Sequence, residues 1–304
     1  MTEKKGIFSK TILWDLSLLM VALVWGGGFV ITKVSVNVMP PMAFLGYKFT
    51  VAGIVMFIVF WKYIKKAKKK DFINGSIIGV FLTIAYITQT IGIMYTTPAK
   101  NSFITGLNVV IVPFLVWMIY RKSPGKKAYI SAIIAFFGMG LLSLNFSEAL
   151  WLSYGDVMTL LCAVFFAAHI TSVGFFANKT DALVVASIQI LFTGIVCLAI
   201  SLVLEVQPNV MSWSPGIWMG MFYSTFLSTL AAFLIQNLAQ KNTPSSHAAI
   251  ILSLEAVFGA LASAVFYGEI LSLKMIIGCV LIFSAILANE VDFKALLNNK
   301  KAAA

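Results

Sequence analysis

The sequence predicts an all-α polytopic membrane protein with ten transmembrane helices, arranged as two inverted five-helix repeats. Three observations lead to that expectation. First, 60% of the 304 residues are hydrophobic and only 11% are charged, and the mean hydropathy is +0.96. A soluble interior cannot hide so much apolar surface, whereas a bilayer takes about 20 apolar residues per spanning helix. Second, the apolar residues gather into ten long runs with short polar connections. Third, the first half recurs in the second. Asp15, Asn37, Gly53, Gly75, Gly79 and Phe81 meet the same residue type 141 positions later, at Asp156, Asn178, Gly194, Gly216, Gly220 and Phe222. Thr97, Pro98 and Ile104 recur 146 positions later, at Thr243, Pro244 and Ile250, so a small insertion falls near the end of the eighth run. An odd number of spans per repeat turns the two copies upside down relative to each other, as in carriers whose halves exchange roles around a central site.

The runs cover residues 12–34, 41–62, 72–95, 98–120, 127–145, 153–177, 182–205, 215–239, 244–267 and 271–290. They divide the chain into a tail (1–11), a first repeat (12–145), a second repeat (153–290) and a closing tail (291–304). Lysines precede the first run, as in a signal peptide. The run is too long for an h-region, however, and no small-residue cleavage site follows it. Pro98 and Pro244 open the fourth and ninth runs, where a missing N–H is harmless. Asp15 and Asp156 occupy corresponding starts of the first and sixth runs and are expected to cap them; Glu269, before Ser272, reads the same way at the tenth.

A net charge of +11 would suggest nucleic acid in a soluble protein, but its distribution decides otherwise. With a cytoplasmic amino terminus, 18 of the 22 basic residues fall on the cytoplasmic side, leaving Lys33, Lys48, Lys100 and Lys274 within or beyond the membrane. The positive-inside rule therefore puts both termini in the cytoplasm of a multi-pass plasma-membrane protein, expected to be a bacterial inner-membrane one. The run KKAKKK at 65–70 fits a topogenic role first and contact with anionic lipid second. Cys162, Cys197 and Cys279 lie singly in apolar runs, so neither a disulfide framework nor a metal site is expected, and no cofactor is implied.

Polar side chains at membrane depth are costly, so each needs a partner, a cavity or a use. Asn101 and Asn108 share one face of the fourth helix, with Thr105 near it. The ninth helix puts His247 at the position of Asn101, with Ile251 and Glu255 following at four-residue steps. Glu255 lies near the bilayer centre, where proton coupling, pairing with a cationic substrate group, or a permanent pair with Lys48 would explain it. Lys48 corresponds to Gln189, so both halves place a long polar side chain there; snorkelling toward the interface is its bland explanation. His169 corresponds to Gly28 in the run Gly26-Gly27-Gly28 and is a second candidate for proton coupling, or a satisfied core histidine. Trp25 and Phe29 stack on one face of the first helix; Tyr86 and Gln89 on the third and Tyr223 on the eighth complete an aromatic and polar set suited to an organic solute. With 25 phenylalanines in the chain, helix packing accounts equally well for any single aromatic residue.

The run Trp25-Gly26-Gly27-Gly28-Phe29 with Lys33 resembles the first-helix WG-x-x-F-x-x-x-K pattern of the EamA family, within the drug/metabolite transporter superfamily. TTPAKNSFITGLNVVIVP at 96–113 is similar to that family's fourth-helix segment, and Gly268-Glu269 followed by Gly278 to its helix nine–ten signature. The resemblance spans residues 12–290. It implies a ten-helix carrier of small organic metabolites, often an exporter of amino acids, with a cavity lined by helices one, three, four, six, eight and nine. Two departures stand out: Lys48 where many relatives have arginine, and Glu255-Ala256 where Glu-Pro is common.

The function expected is therefore secondary transport of a small organic metabolite, an amino acid or related compound, outward by alternating access. The partners would be that solute and the lipid bilayer, with the protein a monomer or homodimer that does not bind nucleic acid. A facilitated uptake carrier is the alternative within the same class. Outside it stand a polytopic membrane enzyme, for which no HExxH, GxSxG or GxGD is found, and a lipid scramblase or channel, for which polar stripes are sparse.

Overall fold

In a computed structural model, residues 3–121, 123, 125–143, 153–177, 179–270 and 272–290 are described. Among them the elements are helical: α1 (Glu3–Val36), α2 (Pro41–Val59), α3 (Lys69–Met94), α4 (Pro98–Tyr120), α5 (Lys126–Ser143), α6 (Tyr154–Phe176), α7 (Ala182–Leu204), α8 (Pro215–Ala239), α9 (Ser245–Tyr267) and α10 (Leu273–Glu290). Eight of these, all but α5 and α10, are long and apolar enough to cross a membrane. α5 and α10 occupy the fifth and tenth runs and lie against each other.

Several boundaries differ from the sequence reading. α1 is helical from Glu3, so most of the stretch read as a tail continues the first helix. Asp15 therefore sits inside a helix instead of capping one, and its carboxylate meets His247. Asp156 does cap α6, accepting from the Ser153 amide at 3.0 Å while its own amide donates to Ser153 Oγ at 3.2 Å. The second run ends at Val59, and Trp61–Ile64 forms a separate turn of helix. Glu269 accepts a hydrogen bond from Ser263 Oγ, tying it to the end of α9. Residues 144–145 of the first repeat and the closing tail 291–304 lie outside the described residues.

Helix contacts are set by small residues, because lipid tails compete evenly with apolar side chains and close backbone approach has to drive association. α2 and α7 cross antiparallel with reciprocal contacts. A Cβ on Gly53 would lie 2.7 Å from Leu191 Cα, and one on Gly194 would lie 2.4 Å from the Thr50 amide nitrogen. Leu191 is 141 residues after Thr50, as Gly194 is after Gly53, so each helix offers the other the same notch and the same ridge. α1 meets α8 antiparallel and α3 meets α6 in the same sense.

α4 and α9 are both interrupted. At Leu107 and Ser253, 146 residues apart, ψ relaxes to −13° and −16°. A tight three-residue bond follows each, from Val110 N to Leu107 O and from Ala256 N to Ser253 O, both 3.1 Å. α8 widens to π-helix over Tyr223–Ala231 and α9 over Ser263–Tyr267.

The helix ends are tied by charged groups. Lys33 Nζ donates to the carbonyls of Ile93, Met94 and Thr96 at 2.8, 3.1 and 3.0 Å, closing the end of α3. Lys100 and Asp156 pair at 2.9 Å, and Asp15 and His247 at 3.2 Å. The reciprocal α2–α7 crossing predicts that Gly194→Leu lowers stability by about 1–3 kcal/mol through overpacking. Gly216→Ala, whose nearest neighbouring atom is 3.8 Å away, should leave stability unchanged. Thermal unfolding of the detergent-solubilised variants checks both.

Candidate functional site

A narrow cavity of about 30 Å³ lies among α1, α2, α3, α6, α8 and α9. Trp25, Gly28, Phe29 and Thr32 on α1 form one wall, and Tyr86, Gln89 and Ile93 on α3 another. Lys48 enters from α2, Phe166 from α6, Ser224 and Ser228 from α8, and Glu255 from α9. Tyr86 and Phe166 meet edge to face, with ring centroids 5.3 Å apart. A smaller space of about 10 Å³ adjoins it, sharing Trp25, Phe166 and Glu255 and adding Asn108, Ile170, Gln236 and Leu252.

Six of the sequence candidates thus come together: Trp25, Phe29, Lys48, Tyr86, Gln89 and Glu255. Asn108 lines the adjoining space, its amide donating to Thr105 O at 3.0 Å. The other four are placed elsewhere. Asn101 is fully buried and donates to Thr159 Oγ1 at 2.8 Å, joining α4 to α6. His169 is also fully buried; its Nε2 lies 2.7 Å from Gln189 Oε1, and its ring stands edge-on to Phe166 and Phe233. Tyr223 donates to Val24 O at 2.7 Å, fastening α8 to α1. His247 lines a separate cleft at the start of α9, so it and Asn101 do not face one cavity.

Several lining groups escaped the sequence reading, among them Thr32, Ile93, Phe166, Ser224 and Ser228. Phe166 stands 141 residues after Trp25, so the offset that relates the halves would have found it. Ser224 and Ser228 carry no such signal. They face inward because α8 is π-helical there, and a widened turn shifts which side chains share a face. The same stretch presents the Ser228 carbonyl to a side-chain donor, and Trp25 Nε1 takes it at 2.9 Å.

The two charged groups of the cavity define its chemistry. Lys48 is 2% exposed and Glu255 6%. Among the described residues neither forms an ion pair, with the other or with a third group, so the permanent Lys48–Glu255 pair is not present. Lys48 Nζ instead lies against aromatic faces, 4.4 Å from the Tyr86 centroid, 4.9 Å from Phe44 and 5.0 Å from Phe49. Quadrupolar attraction of this kind stabilises a desolvated ammonium by roughly 2 kcal/mol, less than burial costs it. Snorkelling does not describe a side chain enclosed in this way. The cavity therefore offers one cationic and one carboxylic group whose counter-ions the protein does not supply. No cluster of metal-ligating side chains occurs among the described residues.

A multi-pass helical bundle with an unneutralised polar cavity at its centre has the architecture of a membrane transporter. The chain belongs to the EamA-like transporter family, whose sequence profile matches it twice, over residues 12–144 and 153–289. An uncharacterized transporter of Archaeoglobus fulgidus is 31% identical over 278 residues, covering 91% of this chain and 86% of that protein. The uncharacterized transporter YyaM of Bacillus subtilis is 23% identical over 272 residues, covering 86% and 88%. A solved crystal structure superposes with a TM-score of 0.75 at 16% identity, covering 95% of this chain and 99% of the other, which shows a shared fold.

A buried charge without a protein partner destabilises, so Lys48→Met should raise the melting temperature of the solubilised protein while abolishing transport. Thermal unfolding and vesicle uptake, measured on the same preparation, read the two effects.

Proposed function

We propose that this chain is a secondary carrier that moves a small zwitterionic organic solute, an amino acid or related compound, out of the cell. The observation that carries this reading is the coexistence of Lys48 and Glu255 in one cavity without an ion pair. A solute carboxylate would lie at Lys48 and its ammonium at Glu255, with the apolar portion against Trp25, Phe29, Tyr86 and Phe166. Gln89 and the adjoining Asn108 would orient the polar ends. Each charge would then gain its counter-ion only when substrate is bound.

The transport cycle proposed is alternating access between two inverted five-helix repeats. The reciprocal Gly53–Leu191 and Gly194–Thr50 contacts support a two-fold axis through the α2–α7 crossing, and the double match of the family profile supports two copies of one unit. The pairs Lys100–Asp156 and Asp15–His247 link equivalent helices and fit a closure at each end. Both termini are proposed to be cytoplasmic, with outward direction resting on the family resemblance. Proton coupling is assigned to Glu255, which would exchange a proton for the solute's ammonium group. His169, held by Gln189, is proposed to support the wall and to take no part in coupling.

Two experiments test the reading. Purified protein in liposomes should show saturable uptake and counterflow of a labelled zwitterionic amino acid, and Glu255→Gln should lose the part of the flux that depends on a proton gradient. Unchanged pH-driven flux in that variant removes the coupling role. Cysteines placed at Ala99 and Ser245 should react with a membrane-impermeant reagent from opposite sides of intact cells. Labelling of both from one side refutes the inverted arrangement.

A further inference from the structure

An apolar furrow of about 520 Å³ runs along the outer side of the α2–α7 crossing, walled by Ile54, Phe57, Ile58 and Trp61 on one side and Leu191 on the other. We infer that it seats one acyl chain of an anionic phospholipid, whose headgroup rests on the lysines that follow Trp61.

The furrow is a product of the close crossing. Gly53 brings the α2 backbone against Leu191, where an added Cβ would lie 2.7 Å from Leu191 Cα. Backbones this close push the larger side chains to the flanks of the seam. Ile54, Phe57 and Ile58 stand along it at spacings of three and four, on one face of α2. Ile58 is 70% exposed and Trp61 58%, so among the described residues no protein element covers them. Both helices are long and apolar enough to span the membrane, so the medium beside this furrow is hydrocarbon and its natural occupant is a lipid tail.

The rim of the furrow selects the headgroup. At Phe60 the backbone leaves the helical course, with φ −99° and ψ 18°, and Trp61–Ile64 adds one further turn. Ile64 fastens that turn to α7, buried against Val184 and Ile188 with Phe57 and Phe60 packed alongside. The Lys65 amide donates to the Trp61 carbonyl at 3.0 Å, so Lys65 stands one turn beyond the ring that ends the furrow. Lys62, Lys65, Lys66, Lys68, Lys69 and Lys70 are all exposed, and among the described residues none of them forms an ion pair. Asp71 is the one carboxylate of residues 61–71, and it accepts the Lys68 amide at 2.8 Å. Six cations against one carboxylate attract anionic lipid at headgroup depth, where the exposed rings of Trp61 and Tyr63 also belong. A topogenic role alone asks for the charge and for no furrow. Here the two features meet at Trp61, and together they fit a lipid with an apolar tail and a negative head.

Full-length protein in non-ionic detergent, titrated with phosphatidylglycerol or phosphatidylcholine of identical acyl chains, tests the site by native mass spectrometry and thermal unfolding. Phosphatidylglycerol should be retained about tenfold more strongly and should raise the melting temperature further. The combined Lys62→Gln, Lys65→Gln and Lys66→Gln variant should melt like the parent without lipid, because these side chains are exposed and unpaired, and should lose the preference. Removing the same charge at Arg121, Lys126 and Lys241, at the ends of other helices, should keep it. Ile58→Trp, which fills the furrow, should weaken retention of both lipids, and glycerol phosphate, a headgroup without chains, should not compete. Equal retention of the two lipids, a preference that survives the lysine variant, or an equal loss in the distant variant would overturn the inference. Undiminished retention by Ile58→Trp, or competition by glycerol phosphate, would remove the acyl chain from the furrow and overturn it as well.

Discussion

Polar groups inside a bilayer have no water to turn to, and this constraint arranges the interior of the protein. Many deep polar side chains are matched to a specific neighbour: Asn101 to Thr159, His169 to Gln189, Thr83 to Thr193, Tyr223 to the Val24 carbonyl and Trp25 to the Ser228 carbonyl. These bonds cross between helices, so each also fixes how two helices sit together. Against that background Lys48 and Glu255 stand out, because burial without an ion pair is costly and persists where something else needs the charge.

The two halves share a scaffold and differ at the site. Gly28 and Lys48 in the first half correspond to His169 and Gln189 in the second. The second pair bonds internally and fills its space, whereas the first leaves an open wall at the glycine and an unpaired ammonium. Trp25 and Phe166, related by the same offset, both keep an aromatic face on the cavity. The family profile matches each half, which fits the aromatic residue that both keep on the cavity, and the different residues at these two positions give the pocket distinct ends.

Much of this was legible in the chain. Composition and the 141-residue offset indicate a helical membrane bundle, and asking which polar residues lie deepest singles out Lys48 and Glu255. Residues whose role depends on a partner helix were not legible. Nothing in the order of residues says that Asn101 faces Thr159 instead of a cavity, or that His169 finds Gln189 twenty positions on. Asp15 looked like a cap because its repeat partner Asp156 is one; only the helical continuation back to Glu3 changes its meaning. The π-helical widening of α8 over Tyr223–Ala231 is equally silent in sequence.

The interruptions at Leu107 and Ser253 have a mechanical corollary. Each of the two helices is a pair of stiff rods with one articulated joint, and in α9 the joint separates the segment bearing His247 from the segment bearing Glu255. That joint lies between the residue that meets Asp15 and the residue that lines the central cavity, so the two ends of α9 are held by separate sets of contacts.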